Sequence, residues 1–522
     1  MTMLSDRPSH LTEGHPIHAA PAEPRAGLRE WAGLALLALP TILLGLDLTL
    51  LHLALPALAA DLKPTSTQAL WIVDAYGFMI AGFLITMGTL GDRIGRRKLL
   101  MLGAAAFGVA SILSAYSTSA TMLIAARAAL GVAGATLMPP TLALISNMFL
   151  NPHQRALAIG VWATMFALGM AAGPIVGGIL LERYWWGAAF LVALPIVGLL
   201  LIVAPFLLPE YRAPQAERLD MTSVALSLAG LLPIVYGIKQ IAKDGFGLAA
   251  MLGLTVGLVA TLLFIRRQRR LRSPLIDLEL FSDRAFRTAL LILLVGLTAV
   301  GGTMLLVTQY LQLVVGLSPL SAGLRMGPSA LAMLLAGITA PLIARRFGPG
   351  PVIATALALS VVGYLLLALL DSSPGGVGLV TAAFALVYLG LGTIAALGTD
   401  LVVSAAPTEK AGSASALSEV VQELGLAVGI ATLGSLTTAV YRAEMAGHTE
   451  FAGDIGHRLS DSLAGAASVA AQLPAGTLEQ AEAAFMTGFN AAAAICALAI
   501  ALMATLAAVT LRKPAASKAA KS

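Results

Sequence analysis

Residues 88–98 read Gly-Thr-Leu-Gly-Asp-Arg-Ile-Gly-Arg-Arg-Lys, with Asp92 the one carboxylate among the cations Arg93, Arg96, Arg97 and Lys98. Long apolar segments flank the stretch on both sides, so it reads as a tight turn between two helices. Its glycines, Gly88 and Gly95 among them, let those helices come close. Its cations mark the side of a membrane on which positive charge is retained.

The composition extends that reading to the whole chain. Of 522 residues, 58% are hydrophobic and 11% charged, whereas a soluble globule carries about a quarter charged residues. A helix needs roughly 20 apolar residues to cross the hydrocarbon layer. Fourteen such spans are expected, over 31–58, 69–90, 98–117, 120–147, 155–180, 187–208, 221–241, 248–265, 287–313, 321–343, 351–370, 376–403, 411–440 and 482–511.

With both termini on the cytoplasmic side, most of the 32 cations fall in cytoplasmic segments, the run Arg266, Arg267, Arg269, Arg270 and Arg272 above all. Arg127 and Arg325 are the cations expected inside helices. The net charge of +5 is therefore a topology signal and implies no nucleic-acid partner. The tail 1–30 lacks the apolar core and cleavage site of a signal peptide. Its His10, His15 and His18 have no folded scaffold to organise them, so no metal site is expected. Cys496 is the single cysteine, which excludes an internal disulfide and a cysteine cluster.

The turn fills every defining position of the pattern G-x-L-x-D-R-x-G-R-R-x and resembles the signature loop of major facilitator transporters. The resemblance implies an all-α polytopic membrane protein of two six-helix bundles, with substrate bound near the midplane between them. The expected organisation is a cytoplasmic tail (1–30), a first bundle (31–208), an inserted helix pair with a basic cytoplasmic loop (209–286), a second bundle (287–511) and a cytoplasmic tail (512–522). The two-helix insertion resembles the fourteen-span drug:proton antiporter family. A weak echo of the turn, Arg345-Arg346-Phe347-Gly348, stands where an internal repeat requires it. Residues 441–481, outside by this topology, carry an apolar stripe (Leu459, Leu463, Ala466, Val469, Ala470, Leu473) expected to form a short helical hairpin lying over the outer helix ends.

An ionisable side chain inside a membrane costs about 2.5–3.5 kcal/mol on insertion scales, so each is a functional candidate. Asp47 stands in Leu-Asp-Leu-Thr-Leu-Leu-His-Leu-Ala-Leu-Pro with no basic residue within a helical turn. The alternative is an Asp bonded locally to backbone or to Thr49. Glu419 and Glu423 lie one turn apart on one helix face, so two carboxylates there repel and tend to hold a shared proton that a cation could replace. Glu419 could instead pair with a cytoplasmic cation. Arg127 sits in Arg-Ala-Ala-Leu-Gly-Val-Ala-Gly-Ala and must find a partner or backbone carbonyls. Asp74 and Tyr76 follow Trp71 near an interface and are candidate cavity residues. Trp162, Met165 and Phe166, with Met138, are candidates to line an apolar cavity suited to aromatic cations.

These segments resemble family patterns in turn. The resemblance implies proton exchange or cation binding at Asp47, proton transfer near Arg127, and an acidic helix at Glu419 and Glu423 like that of QacA/SmvA-type quaternary-ammonium multidrug exporters. Gly169-x-x-x-Gly173-Pro174-x-x-Gly177-Gly178 resembles the motif of the antiporter branch, in which small residues let helix backbones touch. Asp92 would hold the second bundle closed by accepting hydrogen bonds at the start of span thirteen, with Arg93, Arg96 and Arg97 anchoring the loop.

The reading is a proton-coupled antiporter of the bacterial cytoplasmic membrane that expels hydrophobic, mainly cationic drugs or antiseptics. No cofactor is expected beyond the proton gradient, since no Walker A sequence is present. Alternatives are export of an endogenous metabolite, lipid or peptide, and a non-transporting sensor or scaffold. An enzyme is disfavoured, because no metal spacing or activated nucleophile appears.

Overall fold

The computed structural model describes residues 26–212, 220–271, 274–276, 278–371, 376–406, 411–446 and 453–511. The three tail histidines and the segment 512–522 lie outside the described residues.

Every regular element among the described residues is helical. Fourteen helices are long and apolar enough to cross a membrane: α1 (Leu28–Leu62), α2 (Ser66–Ile94), α3 (Arg96–Ala115), α4 (Ala120–Met148), α5 (Leu157–Arg183), α6 (Ala188–Leu207), α7 (Met221–Asp244), α8 (Leu248–Gln268), α9 (Arg284–Val314), α10 (Pro319–Phe347), α11 (Pro349–Leu367), α12 (Gly376–Ala405), α13 (Ala414–Met445) and α14 (Thr477–Thr510). Several overrun the expected spans by a turn at one end or both, because polar end residues still form helix beyond the apolar window. Helix α4 is broken at Thr136–Leu137, where Pro139 and Pro140 remove two backbone donors and restart the helix at Met138.

Two groups of six helices each bury their own core. In the first, α1 packs on α5, α2 and α3 pack on α4, and α3 packs on α6. Leu37, Ala54 and Leu58 of α1 are all fully buried in it. In the second, α9 packs on α13, α10 and α11 on α12, and α11 on α14. The groups meet along two seams, α2 against α13 and α5 against α10. The pair α7–α8 packs on itself and lays α7 over the first seam. There Phe78, Val235, Ala427 and Ala431 form a small apolar cluster of their own.

The 88–98 turn defines what we call the basic face. Gly95 ends α2 with φ +108° and starts α3, a conformation open to glycine and strained for other residues. Gly348 repeats the device between α10 and α11, with φ +81° and Pro349 at the first helical position. On the opposite face, Gly453–Asp461 and Leu463–Ser468 form short helices. Leu459, Leu463, Ala466 and Val469 are buried beneath them. Tyr441 donates its hydroxyl to the Leu459 carbonyl at 2.7 Å, and Asp461 accepts the Ser66 backbone N–H at 2.6 Å. Arg442 also pairs with Asp461, so the hairpin ties α13 to the start of α2.

Candidate functional site: buried charges around a central cavity

Asp47 has no basic neighbour on its own helix, and its partner comes from α4. Arg127 Nη1 lies 2.7 Å from Asp47 Oδ2, with the two side chains 2% and 11% exposed. Arg127 Nε donates to the Ile72 carbonyl at 3.1 Å, and the guanidinium stacks 4.4 Å from the centre of the Tyr76 ring. A buried guanidinium thus finds an anion, a carbonyl and a π face, which is what its desolvation demands. The Thr49 hydroxyl does not bond Asp47; it donates to backbone carbonyls, including Met170 of α5 at 3.1 Å. His52 on α1 is buried, interacts electrostatically with Arg127, and has no hydrogen-bond partner at Nδ1 among the described residues. His52 lies in the same eleven-residue stretch as Asp47, and a titratable ring in an apolar helix carries the same signal as a carboxylate there.

Glu419 and Glu423 face a cavity of about 310 Å³ between the bundles, walled by Met138, Trp162, Phe166, Met170, Leu297 and Met333. Glu423 is 5% exposed. Its Oε2 has no hydrogen-bond partner among the described residues. Neither glutamate has an ion-pair partner there. Glu419 also borders a second cavity of about 530 Å³ toward the basic face, which reaches Asp92, Arg96 and Ser415. The two cavities therefore share one carboxylate. Trp162 is oriented by donating Nε1 to Thr141 Oγ1 at 3.0 Å.

Three candidates for the cavity wall are placed elsewhere. Met165 is not among the residues that line it. Tyr76 is fully buried under Arg127, and its hydroxyl feels the charges of both Asp47 and Glu423. Asp74, expected near the membrane interface, is fully buried and lies 2.6 Å from Lys239 Nζ, with the side chains 0% and 1% exposed. The reason is the inserted helix α7, which covers α2 and carries Lys239. Sequence reading missed Lys239 because it stands near the end of its span and reads as a flanking cation. Its ammonium also sits 3.9 Å from the centre of the Trp71 ring.

At the basic face Asp92 is bound within its own turn. Arg96 Nε donates to Asp92 Oδ1 at 2.8 Å. The expected hydrogen bond to the start of span thirteen is not among the bonds of the described residues; Asp92 instead shares the wall of the second cavity with Ser415 and Ala416 of that helix. Arg97 donates to the carbonyls of Pro205 and Leu208 at 3.0 and 2.9 Å, anchoring α3 to the end of α6. Arg93 is exposed. A Cβ on Gly88 would only touch Pro139 at 3.5 Å.

On α5, Gly169 and Gly173 press α1 so closely that a Cβ would collide with the Ile42 carbonyl and the Thr49 hydroxyl, and Gly177 lies against Leu50. The Pro174 carbonyl and Gly178 point the other way, toward Gly323 and Leu320 of α10. Ser318 adds a hydrogen bond to Glu182 at 2.7 Å. The α5–α10 seam is thus tight near the opposite face. At the α2–α13 seam, a Cβ on Gly77 would lie only 3.1 Å from the Ala427 Cβ.

Residues 37–430 match the family described as Major Facilitator Superfamily. The chain is 42% identical over 501 residues, 95% of its length and 99% of the relative's, to the "Multidrug efflux pump LfrA" of Mycolicibacterium smegmatis. It is 35% identical over 421 residues (80% of this chain, 84% of the relative) to the "Methyl viologen resistance protein SmvA" of Salmonella typhimurium. A similar fold is found in a bacterial homologue of the human lysosomal transporter Spinster in an inward-facing conformation, with TM-score 0.63, 15% identity and coverage of 93% and 98% of the two chains. A peptide transporter, POT, superposes with TM-score 0.61 at 17% identity, covering 92% of this chain and 96% of its own. The chain belongs to the Major Facilitator Superfamily, as a multi-pass membrane transporter rather than an enzyme.

Proposed function

We propose that the chain is a proton-coupled antiporter that exports amphipathic, mainly cationic small molecules across a bacterial cytoplasmic membrane, with the basic face and both termini inside. The observation that carries this reading is Glu423: an acidic side chain buried, with no cationic partner among the described residues, in a cavity walled by methionines, a tryptophan and a phenylalanine. An unpaired charge at such depth is costly, so the carboxylate holds either a proton or a cationic ligand. Glu419, one turn away and shared with the basic-face cavity, offers the ligand a first anionic contact. Aromatic faces and thioethers supply the rest of the binding surface without demanding one substrate shape.

Asp47 and Arg127 form the second proton-handling element. Protonation of Asp47 would release Arg127, and Tyr76 carries the electrostatic change toward Glu423. Tight contacts at the α5–α10 and α2–α13 seams hold the outer side shut while the shared cavities face inward. Asp92 and Arg96 brace the inner turn on which the exchange of open sides hinges.

The test uses the purified full chain in proteoliposomes with an interior pH dye and tetraphenylphosphonium as the cation. Addition of the cation under an imposed pH gradient is expected to move protons in the opposite direction, and Asp47→Asn to abolish that movement while the protein remains folded. Cation flux that persists without any proton movement would contradict the coupling.

A further inference from the structure

Inside the membrane α1 carries a second titratable group, His52, just over one turn beyond Asp47. Counted back from Leu62 at 1.5 Å per residue, His52 lies roughly 15 Å and Asp47 roughly 22 Å from the opposite-face end of the helix. The ring is 3% exposed, and its Nδ1 has no hydrogen-bond partner among the described residues. The backbone there is short of a donor as well. Pro56, four residues on, has no N–H to give the His52 carbonyl. A buried polar group left unpaired costs about 1–3 kcal/mol, so two at one residue call for a partner that comes and goes.

A small cavity begins one turn farther out. Leu55, Pro56 and Ala59 line it; they stand three, four and seven positions past His52 and so share its face of α1. Its volume is about 60 Å³, room for about two water molecules. Gln309 of α9 and Thr438 of α13 bring polar side chains to its wall, and Ser462 and Leu463 of the hairpin cover it. Both bundles contribute, so parting them on this side opens it to solvent. Asp47 does not reach it.

On the inner side the ring meets charge. Arg127 of α4, the partner of Asp47, is the charged group that acts on it. Among the other helices packed on α1, α2 brings Tyr76, with Asp74 turned to Lys239, and α6 has no titratable residue. Helix α5 carries Glu182 and Arg183 at one end, α9 carries Arg284 and Arg287 at the basic face and Tyr310 at the other, and Arg325 of α10 is exposed.

We propose that His52 is the residue at which a proton from the opposite face enters the exchange. Nδ1 takes the proton from water in the small cavity, and the imidazolium releases one from Nε2, through water, to the Asp47 carboxylate. The ring is neutral again, and Asp47 is protonated and free to part from Arg127. The role rests on the proton-antiport reading, to which it adds the side of entry and the first acceptor.

The test uses the full chain in proteoliposomes with tetraphenylphosphonium in two assays, the membrane potential clamped in both. One drives uptake by an imposed pH gradient. The other follows exchange of labelled for unlabelled cation at equal pH, which requires both sides to open in turn but no net proton movement. His52→Gln and His52→Asn keep a polar side chain and cannot carry a proton. Both are expected to slow driven uptake about fivefold or more, to flatten its dependence on the pH of the proton-supplying side, and to leave exchange within about twofold of wild type. Unchanged driven uptake would overturn the role, and so would an equal slowing of both assays, which would make His52 structural. Wild-type chain that exchanges the cation yet moves no protons in the driven assay would overturn the antiport reading and this role together; proton-coupled wild-type transport with either of the variant results above strikes the role alone.

Discussion

Asp74 and Lys239 meet at 2.6 Å with both side chains out of contact with solvent and lipid. Breaking a buried pair by removing one partner leaves an uncompensated charge and costs about 3–5 kcal/mol, whereas replacing both partners with apolar groups is often nearly neutral. Lys239→Met is therefore expected to lower the unfolding temperature of the detergent-solubilised chain sharply, and Asp74→Leu combined with Lys239→Met to recover most of the loss. A double variant as unstable as the single one would mean that the pair does more than join α7 to α2. At this scale the sequence exposed the intramembrane acids well, because Asp47, Glu419 and Glu423 are isolated in apolar runs. It did not expose their partners. Asp47 and Arg127 are 80 positions apart, and only the packing of α1 beside α4 makes them neighbours. Lys239 was hidden for the opposite reason, since a cation near a span end looks solvated until another helix covers it.

The turns at Gly95 and Gly348 are the same device used twice, each a residue at positive φ between two helices. A Cβ on Gly95 would also strike the Glu210 carboxylate, whose Oε1 lies 2.5 Å away. Gly95→Ala is thus expected to cost on the order of 1–3 kcal/mol of backbone strain and to shift Arg97 from the α6 carbonyls. Transport rate should fall while ligand affinity in detergent stays within twofold, since the turn is remote from Glu423. Loss of affinity equal to the loss of rate would place the turn in the binding site instead. The helices, their number and both glycine turns were legible in the sequence, because apolar length and glycine position are local properties. Which surface the α5 glycines press was not. Small residues at spacing four announce close contact with some helix, and only the fold assigns Gly169 and Gly173 to α1 and the Pro174 carbonyl to α10.

Across the molecule, two six-helix groups enclose a cavity with acids on one wall and aromatic and thioether groups on the other, and an inserted pair closes one of the two seams. The arrangement assigns one negative charge to two competing occupants, a proton and a cationic ligand. The direct test is the dissociation constant of tetraphenylphosphonium for the purified chain at acidic and alkaline pH, in wild type and in Glu423→Gln. Wild-type binding should weaken as pH falls, because protons then compete for the carboxylate. Glu423→Gln should bind the cation about 1.5–3 kcal/mol more weakly, the size of a hydrogen bond to a charged group, or about tenfold or more in Kd. Its affinity should also respond far less to pH, and a matched neutral ligand should lose little. Equal losses for the cation and the neutral ligand, with the pH response intact, would contradict the account.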